Sequence, residues 1–167
     1  MTDIGQWLID LFGSLGPGGL LVAIFLLFYI DAILIPTLPE VFTILIFATN
    51  PTLEFAIEIL AVIAIAELLG LTTLYVVVKR LHVPKKIQSA LDRYTKLLIV
   101  KDEKIIILNR LAPVLPFMGA FAAVCHWSYR RCVAYTLIGG MVKYGIILAL
   151  GGILFAYLSS DMAMIVS

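Results

Sequence analysis

The sequence predicts an all-α integral membrane protein: an inverted repeat of a re-entrant hairpin plus a transmembrane helix, preceded by an interfacial helix. Composition is the first reason. Apolar residues make up 62% of the chain and charged residues 14%, with a mean hydropathy of +1.09. Soluble domains carry about 45–50% apolar and about 25% charged residues. Broken hydrophobicity is the second reason: the apolar runs are interrupted twice by paired prolines, in "IPTLPE" and "APVLPF". The third is charge segregation. Residues 1–78 hold seven of the eleven acids and no Lys or Arg, whereas eight of the twelve cations fall between Lys79 and Lys104.

Residues 1–16 contain Trp7, Leu8, Ile9, Leu11 and Phe12 with Asp3 and Asp10 but no cation, so they lack the basic start of a signal peptide. They are expected to form a short interfacial helix ending at Gly16-Pro17-Gly18-Gly19. Residues 18–50 form the first hairpin, with Pro36 and Pro39 at its tip. The apolar stretch after those prolines is too short to cross, since about 20 residues are needed for a core about 30 Å thick. An ordinary tilted span over residues 18–35 remains an open alternative. Residues 53–80 make a full span.

Residues 81–104 mix charge with apolar positions at helical spacing (Ile87, Leu91, Tyr94, Leu98) and are expected to lie on the membrane surface. The positive-inside rule makes this linker cytoplasmic, and the Arg130-Arg131 turn with it. Residues 105–129 must then enter and leave from the cytoplasm, as a second hairpin with Pro113 and Pro116 at its tip. Residues 132–158 form the last span. Pro36 and Pro39 fall on Pro113 and Pro116 at one offset of 77 residues, and the two spans coincide at that offset. An odd number of crossings between the copies inverts the second, and paired interruptions in corresponding halves point to a transporter's midplane site.

Irregular backbone at membrane depth is tolerated only inside protein or against a water-filled cavity. Charges at that depth cost at least about 2.5–3.5 kcal/mol each, so they face such a cavity or pair. The candidate substrate- or proton-binding residues are Asp31 and Glu40 on the first hairpin, Arg110 on the second, and Glu67 and Lys143 within the spans. Glu67 and Lys143 lie one residue from equivalence under the repeat and carry opposite signs, so a neutralising pair is expected, as packing or as a coupling element. Arg110, like the other charges at this depth, is expected to face such a cavity or to pair. Ala66-x-x-x-Gly70 and Gly152-x-x-x-Ala156 are small-residue faces for helix contact within the chain or in a homo-oligomer. Cys125 and Cys132 read as small buried residues; with only two cysteines and two histidines, no metal, cofactor or enzyme chemistry is expected, and no nucleic-acid partner.

The stretch "NRLAPVLPFMGAF", followed by "WSYRRCVAYTLIGGMVKYGIILALGG", resembles the second half of the DedA/VTT (SNARE-associated) membrane protein family. That family's motif runs Gly-Arg-Phe-x-Pro-x-x-Arg, then a small-residue stretch and a glycine-containing final span. Arg110 and Pro113 match it, Asn109 replaces the glycine, and Pro116 stands where the second arginine would be. "YIDAILIPTLPE" is similar to the family's acidic hairpin, with Asp31, Pro36, Pro39 and Glu40 in its roles. The resemblance covers residues 18–158 and suggests a compact bacterial or archaeal member in the cell membrane. It implies transbilayer movement of lipids, either phospholipid or a carrier such as polyprenyl phosphate. Arg110 would then hold the anion, and Asp31 and Glu40 could couple transport to protons. A proton-coupled exporter of small molecules or ions and a structural scaffold are the alternatives from the residues alone.

Overall fold

The computed structural model describes residues 16–33, 38–80, 106–107 and 118–166, with side chains described as far as Tyr157. Every regular element among them is a helix: α1 (Gly16–Ile33), α2 (Pro39–Thr49), α3 (Leu53–Arg80), α4 (Met118–Val124) and α5 (Tyr129–Val166). Three are long and apolar enough to cross a membrane: α1, α3, and α5 over Tyr129–Tyr157. The expected interfacial helix and the surface linker lie outside the described residues, as do Pro36, Arg110, Pro113 and Pro116.

Local sequence explains the ends. Pro17 and Pro39 each stand in a first turn, where a missing N–H costs nothing and the fixed φ suits a helix. The Gly16-Pro17-Gly18-Gly19 stretch is therefore a helix start, not only a break. Asn50, Pro51 and Thr52 turn the chain from α2 into α3. The Thr52 hydroxyl accepts from the Phe55 N–H at 3.3 Å, an N-cap that satisfies one of the orphan donors of α3. Glu54 in the first turn of α3 and Lys79 and Arg80 in its last turn suit the helix dipole.

Between α4 and α5 the chain makes a Schellman turn. Trp127 N–H donates to Ala122 O at 3.0 Å and His126 N–H to Ala123 O at 3.4 Å. His126 takes φ 54°, the left-handed position where glycine is usual. α5 starts three residues before the expected residue 132 and continues past residue 158. Residues 159–166 contain neither Pro nor Gly, so nothing in the backbone stops the helix where apolarity ends.

Contacts give the directions. Glu67 meets Gly140 while Thr72 and Tyr75 meet Tyr129, so α3 and α5 are antiparallel. Glu40 meets Lys143 while Phe47 meets Gly151 and Phe155, so α2 runs parallel to α5. Ala32, near the end of α1, packs on Gly70, and Leu20 and Ile24 share a core with Phe55, Ile59 and Ile63. Helix α1 is thus parallel to α3 and antiparallel to α2. Its first residue and the end of α2 lie at the same end of the bundle.

One core joins α1, α2, α3 and α5 through Phe28, Ile46, Phe55, Ile59, Tyr144 and Leu148. A second, towards the other end, joins α3, α4 and α5 through Leu71, Met118, Phe121, Ala122 and Cys132, with Ile106. Gly119 lets α4 approach α3 closely: a Cβ there would lie 2.6 Å from the Leu71 carbonyl oxygen. Only 28–33% of each long helix's most apolar window is buried. The outward faces carry Ile65, Leu69 and Val76 on α3 and Ile138, Val142, Ile146 and Leu150 on α5. An apolar exterior of this kind suits hydrocarbon as the surroundings.

Candidate functional site

The ionisable side chains midway along the bundle converge on α5. Glu40 stands in the first turn of α2, which Pro39 starts abruptly, and Thr43 returns its hydroxyl to Pro39 O at 2.8 Å. That turn lies roughly 15 Å from the other end of this 11-residue helix, by the 1.5 Å rise per residue. Glu40 Oε1 accepts from Lys143 Nζ in an ion pair. The Lys143 ammonium also lies 5.3 Å from the Tyr144 ring centroid, and that ring packs edge-on against Phe28 of α1. The Lys143 and Glu40 side chains remain 18% and 31% exposed, so the pair is neither sealed nor fully open.

Glu67 is only 2% exposed and approaches α5 one turn earlier. Its carboxylate occupies the space a side chain at Gly140 would need: a Cβ there would sit 2.5 Å from Oε2. Thr136, a further turn along, is also buried, and among the described residues its hydroxyl has no hydrogen-bond partner. Glu40, Glu67, Thr136 and Lys143 thus lie along about two turns of α5.

The expected Glu67–Lys143 pair does not form. Lys143 gives its ammonium to Glu40 instead. Equivalence under a repeat sets corresponding positions, not contacting ones. On antiparallel helices, Glu67 falls level with Gly140, and α2 inserts its first turn beside Lys143. Asp31, half-buried in the last turn of α1, takes no part in the Glu40–Lys143 pair. Arg110 lies outside the described residues, so only Asp31, Glu40, Glu67, Lys143 and Pro39 of the expected residues have a place here.

No family model, curated protein or solved structure matches this chain.

Several polar contacts carry no charge and went unforeseen. Tyr29 and Thr73 hydroxyls meet at 3.2 Å, joining α1 to α3, and Thr72 and Tyr129 hydroxyls meet at 2.8 Å, joining α3 to α5. Neighbouring threonines on one helix thus bond to different partners. The only signal in the sequence was the pair of hydroxyls in "LTTLY" within an otherwise apolar run. For Gly140 it was the doubled glycine amid larger residues. Among the described residues no group of three or more His, Cys, Asp or Glu side chains could hold a metal ion.

Proposed function

We propose that this chain moves phosphate-bearing lipids across a prokaryotic cell membrane, as a multi-pass protein built from an inverted repeat. The observation that carries the reading is the Glu40–Lys143 pair, a half-open ion pair midway along an apolar bundle, formed where a half-length helix begins. Charges at such depth are expensive and mark substrate or ion pathways, and interrupted helices supply polar groups there. The packing supports the repeat. Short α2 lies on α5, and short α4 lies on α3, so each half-helix rests on the long helix of the other half. Residues 39–49 fall on 116–126 at the offset of 77 residues, a stretch that contains α4. Hairpins entering from opposite sides follow from that symmetry, with the Lys79, Arg80, Arg130 and Arg131 end cytoplasmic.

The resemblance to the DedA/VTT family fits this reading. Arg110 is the headgroup ligand and Glu40 its counterpart on the opposite hairpin, with Lys143 alternating between Glu40 and the phosphate. Asp31 and Glu67 hold the remaining charge balance, and proton uptake by an acid of this set couples the cycle. The test is a proteoliposome assay with fluorescent phospholipid and polyprenyl phosphate. Arg110→Ala and Lys143→Met should each lower transport at least tenfold while inserting normally. Wild-type rates in both variants would remove the lipid reading. Transport of a small cation but of neither lipid would favour the exporter.

A further inference from the structure

The end of the bundle where α3 finishes and α5 begins carries a second cluster, distinct from the midway charges. We propose that it binds the headgroup of an anionic phospholipid, through Lys79, the aromatic pair Tyr75–Tyr129, and the first turn of α5 with Arg130. The Tyr75 and Tyr129 rings pack with centroids 5.2 Å apart and planes inclined by 47°. Lys79, one turn beyond Tyr75 on α3, holds its ammonium 5.6 Å from the Tyr75 ring centroid. A ring face attracts the cation without using up its N–H donors, which stay available to an anion.

Hydrogen-bond direction fixes the floor of the cluster. Thr72 has one hydroxyl proton and gives it to Leu68 O at 2.6 Å. The Tyr129 hydroxyl, 2.8 Å away, must therefore donate to Thr72. Tyr129 is thereby held against α3, and the first turn of α5 with it.

A helix N-terminus is the positive end of its dipole and favours acids. α2 and α3 obey this, with Glu40 and Glu54 in their first turns; α5 has no acid there and carries Arg130 and Arg131 instead. The last turn of α3 adds Lys79 and Arg80. Lys79 and Arg130 are exposed, and among the described residues neither makes an ion pair. Exposed Arg130 at the N-terminus of α5, with exposed Lys79 beside the Tyr75–Tyr129 pair, makes an electropositive site that an anion complements.

The surroundings choose a lipid over a free anion. Val76 and Val77, three and two residues before Lys79, are exposed, as is Ala134 just inside α5. The cations therefore border an apolar surface along which acyl chains can lie, and a soluble phosphate would make no use of it. The site does not depend on transport; a chain that binds lipid here without moving it would satisfy the proposal.

The experiment titrates purified protein in detergent with phosphatidylglycerol or phosphatidylcholine and counts retained lipids by native mass spectrometry. Wild type should retain phosphatidylglycerol preferentially. Lys79→Gln and Arg130→Gln should each weaken retention about fivefold, the scale of one basic residue near a membrane surface. Tyr75→Leu should weaken it about threefold with no change in charge, and Tyr75→Phe, which keeps the ring, should match wild type. Arg80→Gln, an equal loss of charge outside the ring contact, should weaken retention less than Lys79→Gln does. Equal losses in Lys79→Gln and Arg80→Gln would reduce the cluster to general surface charge and overturn the proposal, even if Tyr75→Leu fails to fold. So would retention without preference for the anionic lipid. Displacement of the lipid by inorganic phosphate at equal concentration would make it a free-anion site. Lys143→Met should leave retention unchanged while affecting transport, which separates this site from the transport reading.

Discussion

At Gly140 the absence of a side chain makes room for a carboxylate. Glu67 Oε2 lies 2.5 Å from where a Cβ would stand, so Gly140→Ala must push the buried Glu67 aside. Overpacking of this kind costs about 1–3 kcal/mol. Gly140→Ala should therefore unfold at a visibly lower temperature in detergent, and adding Glu67→Asp, one methylene shorter, should return part of the loss. No loss in Gly140→Ala would mean that the end of the Glu67 side chain gives way without cost. His126 presents the reverse case, a side chain where its absence would be better. Its φ of 54° closes the Schellman turn between α4 and α5. Left-handed backbone costs a non-glycine residue about 1–2 kcal/mol. His126→Gly should raise the thermal midpoint, and a lower midpoint would assign the imidazole a stabilising contact of its own.

At the scale of elements, the decisive object is α2. Eleven residues cannot cross a bilayer, but they bring Glu40 to Lys143 midway along α5 and seat Phe47 against Gly151 and Gly152. If the ion pair ties α2 to α5, Glu40→Gln and Lys143→Met should each destabilise the protein by leaving one charge uncompensated. The double variant should recover much of that loss, with a coupling energy of about 0.5–3 kcal/mol by thermal or denaturant unfolding. A parallel cycle with Glu67→Gln and Lys143→Met should be close to additive, because Lys143 is paired to Glu40. Strong coupling in the second cycle and none in the first would reverse that assignment.

For the whole molecule, the ends differ in charge. Lys79, Arg80, Arg130 and Arg131 gather at one end, and Glu54 and Glu58 lie towards the other. If the basic end is cytoplasmic, as proposed, single cysteines in a cysteine-free background should label from opposite sides: Asn50→Cys from outside, Arg130→Cys from inside. Labelling of both from one side would end the inverted arrangement.

Composition and the spacing of apolar residues determined that the chain is helical and apolar, and they gave α3 its bounds at residues 53–80. Proline placement foretold the start of α2, because proline's missing N–H and fixed φ are local properties. Charge segregation likewise needs only the order of residues. What touches what was beyond such reasoning. Lys143 had three acids of the right sign to choose from in Asp31, Glu40 and Glu67, and Glu40 won only because a half-length helix packs parallel to α5. Gly140 became the seat of Glu67, and Thr72 and Thr73 joined three helices, through rotations about helix axes that tertiary packing sets. Local sequence fixes where a helix begins and which residues share its faces. Which face meets which neighbour, and at what height, is decided by the packing of all the helices together.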